Sequence, residues 1–388
     1  MMSWRIALLL PVALAAGTAQ AAIVVPIQID QNLVIAQVRV GTSPPLAFLV
    51  DTGASATVID AARVPELGLA AGSKGAGTAQ GGEIETEMIE GAVLRVGGAE
   101  LRPARVAAID LSGLAAGFGR RIDGILGYEL FARYRVRIDY RRRRMILDPP
   151  AGRAATGEEI PIEIRGNTPF LTTRLTQSGR GRAAPLLVDL GATGALTLYS
   201  AYVAAHPELV PARTLQVSSG ALLPGRFHAR VGRIERMGIG RFAFRDVLTN
   251  FSATNGGDDD TEGAAGQIGG ELLSRFTITF DCAGKRMTLT PARPLSAPFR
   301  FDASGASLRA SGARFEVKEV RAVLPGSPAE SAGLRSGDVI ERIDGRPAAA
   351  IPLARLRAML RKPGTAYGLR IVREGRRQLI RLRTRTLI

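Results

Sequence analysis

Residues 48–60 read FLVDTGASATVID. Phe48, Leu49 and Val50 run straight into Asp51-Thr52-Gly53-Ala54. An apolar run of this length, ended by a Gly-containing turn, predicts a buried strand. That strand delivers one carboxylate, Asp51, to its end. Gly53 lets the chain turn sharply and brings backbone N–H groups close to the carboxylate. Standing alone, the triplet reads as a strand end followed by a turn.

The stretch recurs. Residues 186–198 read LLVDLGATGALTL, with Asp189 where Asp51 stood. Downstream, residues 127–149 (GYELFARYRVRIDYRRRRMILDP) align without a gap on residues 269–291 (GGELLSRFTITFDCAGKRMTLTP). Identical positions include Glu129/Glu271, Arg133/Arg275, Asp139/Asp281 and Met145/Met287. Upstream, Pro26-Ile27-Gln28-Ile29 and Asn32 match Pro161-Ile162-Glu163-Ile164 and Asn167. Order and spacing agree at all three places, which marks an internal duplication. Two copies of a half-site bring two carboxylates.

The chain has 388 residues, enough for two or three domains. Residues 1–21 have Arg5, an apolar run from Ile6 to Ala16 and a small-x-small ending at Ala19-Gln20-Ala21. These features predict a cleaved secretory signal peptide, and with it a periplasmic or secreted protein. The apolar run is too short to anchor in a bilayer, and no later stretch is apolar enough to span one. Cys282 is the only cysteine, so no internal disulfide forms and packed cores must hold an exported chain together. His206 and His228 have no neighbours at metal-ligand spacing, and no metal is assigned. The net charge of +16 invites a nucleic-acid reading. The basic residues are spread along the whole chain, however, and an exported protein seldom meets nucleic acid. The densest run, Arg141 to Arg144, is expected to be a solvated hairpin turn.

The organisation predicted is a first lobe over 22–152, a second over 153–292 and a third unit over 299–388. Both lobes are successions of short strands broken by Gly and Pro. Residues 75–87 read as a hairpin with Gly81-Gly82 at or near its tip. Residues 218–225, with Gly220, form its counterpart in the second lobe. The acidic stretch 256–263 lacks EF-hand spacing and reads as a surface loop. In the third unit, Leu353, Leu356 and Leu360 share one face of a short helix.

The paired FLVDTGA and LLVDLGA, with DGILG (123–127) and GQIGG (266–270), resemble the retropepsin-like aspartyl proteases, in the form where two copies are fused in one chain. The SPAESAGLRSGDVIERIDG run (327–345) resembles bacterial PDZ domains. The resemblance implies a mainly β protein: two tandem acid-protease β-barrel lobes followed by a PDZ domain. It implies Asp51 and Asp189 as a catalytic pair that activates water, with no cofactor. Thr52, Gly53 and Ala54 would support it, as would Leu190, Gly191 and Ala192. The substrate, a protein or peptide, would lie across the groove as an extended strand. Flaps at Gly81, Gly82 and Gly220 would close over it. The PDZ unit would bind a C-terminal or unstructured peptide, its carboxylate loop near Ser304, Gly305, Ala306, Ser307 and Leu308. The same unit could instead be a docking or autoinhibitory module.

The second lobe departs from the family pattern. Leu190 has no hydroxyl to match Thr52, so the reciprocal pair of cross-lobe hydrogen bonds is broken on one side. Gln267 fills an apolar slot, and Asp123 has Ala265 as its counterpart. Two readings follow: an exported aspartic endopeptidase, or a peptide-binding scaffold on a degenerate protease fold. Ala54 and Ala192 stand where pepsin-like enzymes tend to have a hydroxyl donor, so the pair should titrate higher than in those enzymes. The oligomeric state stays open.

Overall fold

The structure, a computed structural model, describes residues 21–70, 72–79, 82–150, 155–220, 226–253 and 263–388. The predicted signal segment (except Ala21), Gly81, residues 221–225 and most of the acidic 256–263 stretch lie outside these. The chain is mainly β, as the resemblance implies, with 49% strand against 13% helix.

The lobe cores follow from apolar strands joined by tight turns. Strand Ile23–Asp30 pairs with Leu33–Val40 through a turn at Gln31-Asn32, where both residues have positive φ. Such a turn suits the right-handed twist of a hairpin. Leu33–Val40 then pairs with Leu46–Val50, the strand that ends at Asp51. Beyond the Asp51 turn the chain returns as Val58–Asp60. Strand Gly124–Leu126 slots between these two arms, parallel to Leu46–Val50 and antiparallel to Val58–Asp60. Gly124 is required there: a Cβ would sit 2.3 Å from the Phe48 ring and 2.5 Å from the Val58 carbonyl. The second lobe repeats the arrangement. Gly266–Ile268 lies between Arg180–Val188 and Leu196–Leu198, the arms around Asp189.

A run of six strands within one larger sheet joins the lobes. Its order is Glu158–Pro161, Arg286–Pro291, Phe276–Asp281, Arg135–Asp139, Arg144–Asp148 and the start of Ile23–Asp30. At its centre Arg137 pairs with Thr279, its own counterpart in the duplication. An antiparallel pair of equivalent residues puts a pseudo-two-fold axis through the sheet, which relates one lobe to the other. Arg141, Arg142 and Arg143 form the exposed turn of the first lobe's hairpin, whereas Arg144 already belongs to its second strand.

Each lobe also projects a hairpin. In the first, Ser73–Ala79 pairs with Gly82–Glu90, with Ala79 opposite Gly82. In the second, Leu215–Gly220 pairs with the start of Arg226–Ile239. Among the described residues no helix is long and apolar enough to cross a membrane.

The third unit is a separate core under strands Ala306–Ser311, Val317–Val323, Val339–Ile343, Ala366–Arg373 and Arg376–Arg383. Helix Leu353–Leu360 buries Leu353, Leu356 and Leu360, as their spacing predicts. Short helix Pro328–Ser331 is capped by Ser327, whose hydroxyl accepts from the Glu330 N–H, with Pro328 at its first position. The connector from the second lobe is gripped by Arg275. Its guanidinium donates to the Leu295 and Ala297 carbonyls at 2.6 and 2.7 Å and stacks 3.8 Å above the Phe299 ring. Arg133, the counterpart of Arg275, is exposed, so the duplicated position has been put to this use in the second lobe alone.

Candidate active site

The two strand ends bring Asp51 and Asp189 together: a Cβ on Gly53 would lie 3.2 Å from Asp51 Oδ1 and 3.0 Å from Asp189 Oδ1. Each carboxylate is also held by its own turn. Gly53 N–H donates to Asp51 Oδ1 at 2.7 Å. Gly191 and Ala192 N–H donate to Asp189 Oδ1 at 2.6 and 3.1 Å. The turns interlock across the axis as well. A Cβ on Gly191 would lie 2.3 Å from Asp51 Oδ2, and one on Gly53 would lie 3.0 Å from Asp189 Oδ1. Gly191 has no room for a side chain because the opposite carboxylate occupies the space, and Gly53 sits at the limit of contact with both carboxylates.

Burial pushes the Asp51 carboxyl above the usual carboxylate range, because the charged form loses its water. Hydrogen bonds from Asp189 and from the Gly53, Gly191 and Ala54 N–H groups pull in the other direction. Burial prevails. Asp189 is 9% exposed.

Thr52 makes half of the expected cross-lobe grip. Its hydroxyl donates to the Val188 carbonyl at 2.6 Å and accepts from the Leu190 N–H at 3.0 Å. Leu190 is fully buried, so packing takes the place of the missing hydroxyl on the other side. Gln267 is accommodated too: the Tyr199 hydroxyl donates to its Oε1 at 2.9 Å. A polar group in an apolar slot is tolerated when it has such a partner.

Several supporting residues carried only the repeat as their signal. Asn32 donates to the Thr193 carbonyl at 3.4 Å, and Asn167 donates to the Ser55 carbonyl at 3.2 Å. Ser55 and Thr193 are themselves equivalent, each four residues beyond its aspartate. The two asparagines therefore tie each lobe to the other's active-site turn. Glu129 holds the first turn from behind, accepting from both the N–H and the hydroxyl of Thr57 at 2.9 and 2.7 Å. Asp123, buried, accepts from Ala47 N–H and from the Arg63 guanidinium, all at 2.8 Å. Its role is to fasten the strand leading to Asp51. The second lobe, with Ala265 there, lacks this fastening.

Of the expected flap residues, Gly82 opens its strand with φ +131°, and Gly220 ends its strand opposite Arg226. Gly81 lies outside the described residues. The residues expected at the PDZ carboxylate loop span a turn and the start of a strand. Ala306, Ser307 and Leu308 belong to strand Ala306–Ser311, and the turn proper spans 302–305. Its amides are not free: Asp302 Oδ1 accepts from Ser304 N–H, Gly305 N–H and the Ser304 hydroxyl at 2.8, 2.5 and 2.7 Å. The Ser304 hydroxyl oxygen in turn accepts from Ala306 N–H at 3.0 Å. The arrangement is local, an Asp side chain accepting from N–H groups two and three residues on.

A cavity of about 240 Å³ lies at the junction of the second lobe and the third unit, lined by Arg233, Phe299, Arg300, Asp302 and Arg361 among others. It is remote in sequence from both active-site turns. Among the described residues no cluster of three or more His, Cys, Asp or Glu could hold a metal ion. Cys282 is buried against the sheet, and its thiol is pushed up to about 12 by burial and by Asp281.

Residues 36–130 match the family model described as aspartyl protease, and residues 319–373 match that of a PDZ domain. The chain carries an aspartyl protease domain and a PDZ domain. No match is found among curated proteins. The aspartyl protease match runs from strand Leu33–Val40 into helix Tyr128–Arg133 and so includes Asp51, its turn and Gly124–Leu126. The PDZ match covers Ser327, helix Leu353–Leu360 and most of the third unit's sheet.

Proposed function

We propose that the chain is an exported aspartic endopeptidase whose catalytic pair is Asp51 and Asp189. The observation that carries this is the meeting of two carboxyls, one from each lobe, around Gly53, whose Cβ position lies 3.0 Å from Asp189 Oδ1 and 3.2 Å from Asp51 Oδ1. Two carboxylates this close hold one proton between them. The ionised member takes a proton from a bound water, which attacks the peptide carbonyl. The protonated member donates to the carbonyl oxygen. The titration belongs to the pair, so neither residue is assigned the acid role alone. Thr52, Leu190 and the two glycines hold the turns in register. The paired hairpins close over an extended substrate. The signal-like segment suits export to the periplasm. The PDZ domain's class of partner is a peptide.

The alternative, a peptide-binding relative without activity, is favoured by one observation: Leu190 leaves half of the cross-lobe grip unmade. The mature chain, Asp51→Asn and Asp189→Asn are incubated with a mixed pool of denatured proteins from about pH 3 to 8. The proposal expects cleavage by the parent chain and its loss in both variants. No cleavage at any pH, or cleavage that survives both substitutions, would reject it.

A further inference from the structure

A PDZ domain takes its ligand as an added strand along a sheet edge. The edge available here is Ala306–Ser311, which pairs on one side with Val317–Val323 and, among the described residues, has no strand on the other. Helix Leu353–Leu360 lies beside it and forms the second wall of a groove. That groove is not empty. Helix Ser112–Phe118 of the first lobe packs against the edge strand. Gly119, which ends that helix with φ +67°, is wedged between the walls. A Cβ there would lie 2.6 Å from Leu353 Cβ on the helix and 3.3 Å from Ala310 Cβ on the strand.

The polar groups of the groove are engaged as well. Arg357, on the helix wall, donates to the Leu308 carbonyl on the edge at 2.5 Å and to Gln31 Oε1 of the first lobe at 2.6 Å. The turn that would receive a terminal carboxylate is filled by Asp302. On another side, strand Val317–Val323 rests against Leu215–Gly220, the second lobe's hairpin. The domain thus touches both lobes.

We propose that the peptide groove of the PDZ domain is filled by the chain's own first lobe, the turn at Gly119 standing in the ligand's place. An external peptide enters only by displacing the lobe. A tethered occupant competes at an effective concentration of order millimolar, so the apparent affinity for an outside peptide falls in proportion to the fraction of open groove. This inference stands whether or not the chain cleaves peptide bonds, and its test reads no cleavage.

The test is hydrogen exchange, followed by mass spectrometry, on the full chain and three variants. Arg357→Ala removes the tie to Gln31 and uncaps the Leu308 carbonyl, with a residue that favours helix. Gly119→Ala drives a methyl into Leu353. Gly41→Ala is the control for left-handed strain, since Gly41 has φ +58° and nothing within 4 Å of its Cβ position. The expected result is exchange faster by about tenfold or more in Ala306–Ser311 and Ser112–Phe118 together, in both Arg357→Ala and Gly119→Ala but not in Gly41→Ala. Unchanged exchange in Ala306–Ser311, or a rise there without one in Ser112–Phe118, would overturn the proposal. Should Gly119→Ala fail to fold, Arg357→Ala alone decides by the same criteria.

Discussion

Replacing Thr52 by Val keeps the shape of a buried side chain and deletes one oxygen. That oxygen serves two backbone groups of the opposite lobe: it donates to the Val188 carbonyl at 2.6 Å and accepts from the Leu190 N–H at 3.0 Å. Thr52 is 2% exposed and Leu190 is fully buried, so water does not readily replace the lost partner. A buried backbone group left unsatisfied costs about 1–3 kcal/mol. Two such groups, with part of the loss relieved by local relaxation, put the expected destabilisation at about 2–4 kcal/mol. The loss is local to the lobe interface because both acceptor and donor belong to the Asp189 turn. Chemical denaturation followed by circular dichroism measures the total. Hydrogen exchange over residues 186–192 locates it, and the Leu190 amide should lose protection most. A change under about 0.5 kcal/mol, the size expected for an unexceptional surface substitution, would refute the reasoning. It would mean that Leu190 packing alone aligns the two turns.

Gly191→Ala places a methyl 2.3 Å from Asp51 Oδ2, whereas Gly53→Ala places one 3.0 Å from Asp189 Oδ1. The first must move a carboxylate by most of an ångström, so kcat/KM should drop about 100-fold, and by less in the second; equal losses, or the reverse order, would contradict the geometry. The folded-state pKa of Asp51 lies above its unfolded value, so the folded chain keeps a proton the unfolded chain gives up. The stability from this proton is complete below the ordinary carboxylate value of about 4 and is lost as pH rises through the folded value. Asp51→Asn should flatten that fall in a pH series of unfolding midpoints. Cleavage by the parent chain should peak in mildly acidic solution, and an optimum of about pH 2, as in pepsin-like pairs, would count against the cause assigned. Arg275→Ala should open the 292–299 connector to limited proteolysis. Arg275→Lys should rescue little, since an ammonium lacks the planar fork that stacks on Phe299 and reaches two carbonyls.

Much of this protein is legible along the chain because the duplication repeats local geometry. The apolar run into Asp51 is a strand end in the structure, and so is its copy at Asp189. The glycines of the two turns were visible as turn formers. Their nearness to the opposite carboxylates was not, because that depends on how the lobes meet. Asn32 and Asn167 appeared only as matching letters. Their cross-lobe bonds join residues more than 100 positions apart, and no local pattern encodes such a partner. Gln267 and Leu190 looked like drift from the family pattern. In three dimensions Tyr199 satisfies the first and the core absorbs the second.

The sequence by itself determined the mainly β class, the duplicated half-sites and the PDZ domain, since strand ends, turns and helix spacing are short-range properties of the chain. Only the tertiary structure decided what fills the PDZ groove. Arg357 and Gln31 are 326 residues apart, and their contact exists because two separately folded units present complementary surfaces.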